Sequence, residues 1–187
     1  MAAPENNENE LVHAPHPPLT RYYGSAENRS GWVQNVFNDT APDYDRIERL
    51  IGFGSGSWYR REALLRAGLA PGLRILDVGV GTGLVACQAA RIVGDPALVT
   101  GVDPSPGMMQ NARVPEGVKL VEGYAERIPF PDASFDFVSM GYALRHIGDL
   151  SAAFGEFFRV LKPGGRLCVL EITRPDMDKF ALRSHEL

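Results

Sequence analysis

One short run constrains this chain more than any other: Asp77-Val78-Gly79-Val80-Gly81-Thr82-Gly83, set between an apolar strand-like stretch and an apolar helix-like one. Glycine at every second position permits a tight strand-to-helix turn whose backbone a ligand can approach closely. A strand that runs straight into a helix is the opening half of a crossover, and crossovers join parallel strands. The downstream sequence keeps that rhythm. Short apolar runs bounded by turn residues predict strands over 74–78, 98–103, 118–123, 135–140 and 167–172. A helix is expected over 83–93, stopped by Gly94-Asp95-Pro96, and another starts at Ser105-Pro106, an N-cap followed by a first-turn proline. A third spans 150–161, with Leu150, Phe154, Phe157, Phe158 and Leu161 as a stripe facing the sheet. The predicted fold is therefore α/β: a Rossmann-like, doubly wound, mainly parallel sheet of about five strands with flanking helices and right-handed crossovers. Ligands in such sheets bind at the carboxyl ends of the strands.

Ahead of the sheet, residues 1–28 are polar, carry Asn6-Asn7 and the cluster Pro15-His16-Pro17-Pro18, and predict a flexible tail. His13 and His16 in such a tail are expected to be solvated, and no metal is predicted. Trp32, Val33, Val36 and Phe37 fall at helical spacing, as do Ile47, Leu50 and Ile51 after Pro42. A glycine-rich break over 52–56 precedes a further helix over 58–67. Three segments are thus expected: the tail 1–28, N-terminal helices 29–72 as a substrate-side cap, and a ligand-binding core 73–187. Lys and Arg number 19 against 23 Asp and Glu, for a net charge of −4, and no basic run occurs, which excludes a nucleic-acid backbone as partner. No apolar run of ~18 residues offers a transmembrane segment. The polar start lacks a signal-peptide core, so a cytoplasmic location is expected. Cys87 and Cys168, each in an apolar segment, are expected as free thiols.

The strand ends carry the chemistry. Asp103 closes the second strand, 20 residues after Gly83, where a carboxylate can accept hydrogen bonds from two ribose hydroxyls; its alternative role is a cap before Pro104. A dinucleotide site needs G-x-G-x-x-G, and counted from Gly79 the third glycine position holds Leu84. Asp77 would also repel a pyrophosphate laid over the loop. No phosphate-loop motif G-x-x-x-x-G-K-[ST] occurs. S-adenosyl-L-methionine has no phosphate and carries two cationic groups, a sulfonium and an ammonium, which favour a nearby carboxylate. The acid–glycine loop together with Asp103 points to S-adenosyl-L-methionine as the cofactor.

The run Asp77-x-Gly79-x-Gly81-x-Gly83 resembles motif I of class I methyltransferases. Tyr44-Asp45, Ala125-Glu126-Arg127-Ile128-Pro129-Phe130, Leu144-Arg145-His146 and Arg159-Val160-Leu161-Lys162-Pro163-Gly164-Gly165 extend the resemblance to the ubiquinone/menaquinone biosynthesis C-methyltransferases, the UbiE-like family, over about residues 32–175. Three departures stand out. No histidine lies three residues before Trp58, His146 replaces an asparagine, and Tyr124 stands where the family offers Asp or Asn to the adenine amine. The resemblance implies methyl transfer to a small-molecule acceptor, a quinol ring carbon among the candidates. It implies that Asp103 holds the ribose, that Met108 packs on the adenine (or is simply core), and that Tyr124 and Ala125 meet the adenine edge. Gly79, Gly81, Ser139 and Met140 would flank the methionine part, with Asp77 and Gly83 as further cofactor-binding residues of the same loop. Tyr44, Asp45, Tyr142, Arg145 and His146 fall on the acceptor side, Arg145 to stabilise a phenolate-like acceptor and His146 to move a proton. Class I enzymes continue past the fifth strand with a helix and two more strands. The 15 residues 173–187 are too short for these, so the core is expected to be truncated. A non-catalytic adenosylmethionine-binding protein and a nicotinamide oxidoreductase remain as alternative functions; a peripheral membrane contact and a homo-oligomer stay open.

Overall fold

All four residues of Ile75–Val78 are buried, as a strand covered by helices on both faces requires. The computed structural model of the chain describes residues 14–16, 19–25, 28–51 and 55–171. Three helices precede the sheet: α1 (Thr20–Tyr23), α2 (Arg29–Ile51) and α3 (Gly56–Arg66). Strands β1 (Ile75–Val78), β2 (Val99–Asp103), β3 (Lys119–Glu122), β4 (Phe135–Gly141) and β5 (Leu161–Leu170) then alternate with α4 (Leu84–Val93), α5 (Pro106–Gln110) and α6 (Leu150–Val160). The sheet order is β3-β2-β1-β4-β5 and every pairing is parallel. The order reverses direction at β1, so the crevice at the carboxyl ends of β1 and β4 is the topological switch point where such sheets bind ligands.

Alternation along β1 sorts the core into two layers. Ile75 packs with Leu64 of α3 and with Ala86, Ala89 and Val93 of α4 on one face. Leu76 and Val78 pack with Phe157 and Val160 of α6 on the other. Asp77 shares the strand face of Ile75, and its side chain therefore enters the α3/α4 layer.

Four expectations need correction. The aromatic stripe of α6 does not face the sheet as a unit: Phe157 is 1% exposed but Phe158 is 85% exposed. At 100° per residue the buried stripe is Ala153, Phe157 and Val160, and Phe158 points away from it. β5 begins at Leu161 and carries Lys162-Pro163-Gly164-Gly165 as an irregularity, with a register shift between the partners of Phe135 and Phe137. Edge position tolerates Pro163 there, since an outer N–H has no ladder partner to lose. α2 runs unbroken through Pro42. Within the expected tail, α1 brings the rings of Tyr22 and Tyr23 to 6.2 and 6.0 Å from Trp32, and His16 lies 3.3 Å from the Arg29 guanidinium rather than in open solvent. Cys87 and Cys168 are free thiols. Among the described residues no helix is long and apolar enough to cross a membrane. The side chains of Ile47, Leu50 and Ile51, residues 52–54, His13 and the stretch 172–187 lie outside the described residues. With them lie the end of the fifth predicted strand and the segment behind the truncation expectation.

Candidate functional site

The glycine turn and the end of β2 are stitched together by backbone. Gly79 and Val80 both donate to the Val102 carbonyl, at 2.8 and 3.0 Å. The Gly81 N–H donates to Asp103 Oδ2 and the Ser105 N–H to Asp103 Oδ1, each at 2.8 Å. Asp103 is buried. Burial raises its pKa, and these two N–H groups pull it back down. Each carboxylate oxygen retains a lone pair, so a pair of hydroxyl donors can still be accepted there. Gly79 and Gly81 hold φ of +70° and +54°. A Cβ at Gly79 would sit 2.7 Å from Ala143 Cβ, and one at Gly81 would sit 3.2 Å from Met108 Cε. Both the conformation and the space exclude a side chain.

Behind this turn lies Asp77, 1% exposed. Its Oδ1 accepts from the Ser139 hydroxyl at 2.7 Å, and its Oδ2 has no hydrogen-bond partner. Burial lifts its pKa to about 7. The Ser139 bond opposes that shift, the Asp103 charge adds to it, and the Ala86 N–H and the Arg60 charge lower it. A carboxyl in this position gains most from a cation brought to the switch point.

The cleft above the strand ends is walled by four groups of residues. Val78–Thr82 form one, Asp103–Ser105 with Met108 the second, Gly123–Glu126 the third, and Met140–Ala143 with His146–Gly148 the fourth. Its roof is α2. Val33, Phe37 and Tyr44 line it from one helix face, and the neighbouring polar stripe fastens that face down. The Gln34 amide donates to the Pro104 carbonyl. Asn38 Oδ1 accepts from the Ser105 hydroxyl at 2.7 Å and from the Gly107 N–H at 2.9 Å. Asp45 Oδ1 accepts from the Thr82 hydroxyl at 2.5 Å. At the helix start, buried Arg29 donates to the Arg145 carbonyl at 3.0 Å. These bonds reach three of the four turns that wall the cleft, those after β1, β2 and β4, and offset the backbone bond that Pro42 removes from α2.

Of the residues singled out from sequence, Tyr44, Gly79, Gly81, Asp103, Met108, Tyr124, Ala125, Met140, Tyr142 and His146 meet at the cleft. Asp45, Asp77, Gly83, Ser139 and Arg145 stand outside its lining. Gly83 is the left-handed N-cap of α4. Arg145 is exposed and paired with Glu171, whose second oxygen also accepts from the Arg145 N–H at 3.4 Å. His146 remains exposed at the rim, its ring edge-on to Phe37 at 5.0 Å. The protein mass around the ring, and then the Arg145 charge, lower its pKa, so it is a neutral imidazole at pH 7. Sequence reasoning missed Gln34, Asn38, Arg60 and Glu126. The spacing 34, 38, 45 on one helix face was the available signal for the first two. Two of the quoted motifs form one buttress beside the cleft. Glu156 Oε2 accepts from the Ile128 N–H at 2.7 Å, and Arg159 donates to the carbonyls of Ile128 and Phe130 at 3.0 and 2.8 Å. Glu126 Oε1 accepts from the Gly148 N–H at 2.7 Å, tying the turn after β3 to the start of α6.

This arrangement fits S-adenosylmethionine and disfavours a dinucleotide. Gly79 and Gly81 turn bare backbone toward the cleft, Asp103 can accept a diol, buried Met108 offers an apolar face, and Asp77 Oδ2 lies buried without a partner near the switch point. A pyrophosphate would raise the cost of ionising Asp77 further.

Comparison with known proteins agrees with this arrangement. A model of the ubiE/COQ5 methyltransferase family matches residues 23–185. The ubiquinone/menaquinone biosynthesis C-methyltransferase UbiE of Shewanella halifaxensis is 36% identical over 160 residues, which cover 82% of this chain and 64% of that protein. The chain therefore spans about two-thirds of that relative's length, 64%. Among solved structures, a SAM-dependent methyltransferase from Thermotoga maritima superposes with a TM-score of 0.59 at 32% identity, covering 73% of this chain and 60% of that one. The 4+2 cyclase SpnF superposes with a TM-score of 0.55 at 30% identity, covering 62% of this chain and 44% of that one. The motif order, the sheet and the family match converge, and the chain belongs to the ubiE/COQ5 methyltransferase family.

Proposed function

We propose that this protein binds S-adenosylmethionine at the ends of β1, β2 and β3 and transfers its methyl group to a small-molecule acceptor held under α2, a quinol ring carbon being the acceptor of choice. One observation carries the reading: a single cleft has a backbone-built end at Gly79–Gly81 and Asp103 and an aromatic end at Phe37, Tyr44 and His146. When bound, adenosylmethionine supplies an electrophilic methyl group. The chain's contribution is placement, holding donor and acceptor in line, which is worth several kcal/mol when the geometry is close. Asp103 fixes the ribose, and Gly79 and Gly81 seat the amino-acid end. Val33, Phe37 and Tyr44 exclude water from the acceptor ring. His146, a neutral imidazole at pH 7, accepts the proton that a phenol or ring carbon must release. Arg145 and Asp45 hold position, through Glu171 and Thr82 respectively.

The UbiE relative is named for C-methylation in ubiquinone and menaquinone biosynthesis, which supports the quinol assignment. The test is a transfer assay with methyl-labelled donor and a panel of quinols, phenols and amines, read by mass spectrometry. Label on a quinol ring carbon is the expected outcome. Tight donor binding with no transfer to any acceptor would leave a second reading, a binding protein or an enzyme of other chemistry. The likeness to a cyclase favours including that arm. An apolar quinol also needs a route to the cleft mouth; vesicle sedimentation and light scattering test whether a membrane surface or a second copy supplies it.

A further inference from the structure

Both tryptophans of the chain stand in the open: Trp58 is 63% exposed and Trp32 39% exposed. Each adjoins the cleft. Trp32 and Val36 are exposed next to Val33 and Phe37, which line it, and Trp58 and Tyr59 directly precede Arg60, which lines it from α3. Tyr22, exposed on α1, has its ring 6.2 Å from Trp32, and Tyr124 is exposed within the lining itself. Exposed aromatics thus border the cleft from three helices and from the turn after β3. Indole and phenol rings join an apolar body to one polar atom, a combination suited to a boundary between hydrocarbon and water. The charges beside them are mostly of one sign, in a chain whose net charge is −4. Arg21, Arg61 and Arg66 are exposed on α1 and α3. Those two helices carry a single acid, Glu62, which meets Arg61 in a 3.4 Å surface pair. α2 has no acidic residue before Asp39.

We propose that this face, built around Trp32 and Trp58 with Arg21, Arg61 and Arg66, rests on an anionic lipid surface and turns the cleft mouth toward it. The assignment rests on the quinol reading above and names the source of that acceptor. A quinol dissolved in lipid then passes into the cleft without crossing water. Lipid fits this face better than a second copy or a partner protein does. A protein seated across the same residues would shut the mouth that the acceptor must pass, whereas a fluid surface leaves it open. Contact of this kind is shallow and reversible, with tryptophans at headgroup depth supplying apolar burial. Each arginine held near an anionic surface adds roughly fivefold in affinity. Phe154 and Phe158 on α6 are exposed as well, but no residue of α6 lines the cleft. They provide the control surface.

The experiment mixes the full chain with phosphatidylcholine vesicles, with and without added phosphatidylglycerol, and follows sedimentation and tryptophan emission. The wild-type protein should sediment with the anionic vesicles, release at high salt, and shift its emission to the blue, since both tryptophans belong to the face. Trp58→Ser should weaken vesicle binding by about tenfold. The pair Arg61→Gln and Arg66→Gln should weaken it by about tenfold or more on anionic vesicles alone. Phe158→Ser should leave it unchanged. Trp58→Ser should also keep donor affinity and transfer to a water-soluble short-chain quinol, while slowing transfer to a long-chain quinol carried in vesicles. If Trp58→Ser does not fold, the arginine pair and the wild-type emission shift still decide. No sedimentation, or equal weakening by Phe158→Ser, would overturn the assignment. So would a blue shift without lipid at a dimer's mass in light scattering, which would give the face to a second copy. Vesicle binding without transfer to any quinol would support the docking surface and overturn the acceptor reading instead.

Discussion

Above β2 and β3 the cleft is made of backbone and one buried carboxylate. Asp103 grips the Gly81 and Ser105 N–H groups, and the glycine turn hangs from the Val102 carbonyl. Above β4 it is made of side chains: Phe37 and Tyr44 from α2 and His146 from a short turn after β4, while Arg145 is drawn outward to Glu171 and stands outside the lining. The first end has little freedom to vary without losing the turn, because its geometry is written in φ angles and peptide hydrogen bonds. The second can exchange one side chain for another and keep its backbone. A fold that fixes its donor and varies its acceptor is well served by that division.

The comparison breaks most completely at Gly81. Gly81→Val places a branched side chain at φ +54° and within reach of Met108 Cε. Binding of adenosylhomocysteine should fall by about a hundredfold or more, with the fold retained by circular dichroism. Retained affinity would show that the backbone end is not where the donor lies. Next in size is Asp103→Ala, which strips the proposed ribose acceptor and leaves two N–H groups unsatisfied near the surface of the cleft. A loss of about 2–3 kcal/mol in donor binding, roughly 30- to 150-fold, is expected alongside a lowered melting temperature. Weakening of less than about threefold in a folded variant would leave Asp103 as a cap for α5.

Asp77 gives a smaller effect with a defined sign. Its pKa is raised on folding, so the folded ligand-free protein binds more protons than the unfolded chain between about pH 4 and pH 7. Its contribution to stability is complete below the unfolded pKa and is lost as pH rises through 7. Wild type should therefore lose about 2 kcal/mol relative to Asp77→Asn between pH 5 and pH 8, measured by urea unfolding at each pH. A cationic ligand brought near the carboxyl favours its ionised form, so donor affinity should rise by up to about tenfold from pH 6 to pH 8 in wild type and stay flat in Asp77→Asn. Parallel pH profiles in the two proteins would place the ligand's charge elsewhere.

The same division explains what was legible in the sequence. The alternation of strands and helices and the backbone end were readable because they depend on local signals: Asp77 to Gly83 in one run, Asp103 at a strand end, Ser105-Pro106 at a helix start. The roof was not, because Gln34 and Asn38 act on Pro104, Ser105 and Gly107, and no local pattern reports a partner so distant in the chain. Asp45 and Arg145 were legible as charged residues in family-like motifs, but their partners, Thr82 and Glu171, are tertiary facts. Phe158 misled because apolar character marks a helix stripe only to within one residue, and one residue is 100° of arc.

Asn38 sharpens the comparison, because it belongs to both ends. It sits on α2, one turn beyond Gln34 and one residue after Phe37, whose ring lines the proposed acceptor end against His146. Its Oδ1 holds the Ser105 hydroxyl and the Gly107 N–H, the two groups that open α5, and α5 carries Met108 into the donor end. Asn38→Ala removes the one acceptor of two hydrogen bonds, from the buried Ser105 hydroxyl and the half-buried Gly107 N–H, so a cost of about 1–2 kcal/mol in stability is expected. If α2 and α5 move as one body, the loosened helix should weaken donor binding by about two- to fivefold and raise the acceptor KM by a similar factor, with kcat at saturation nearly unchanged. Calorimetry and steady-state rates on one preparation measure both. A variant whose acceptor KM rises while donor affinity holds would mean that the roof serves the acceptor alone, and that the backbone end stands without it.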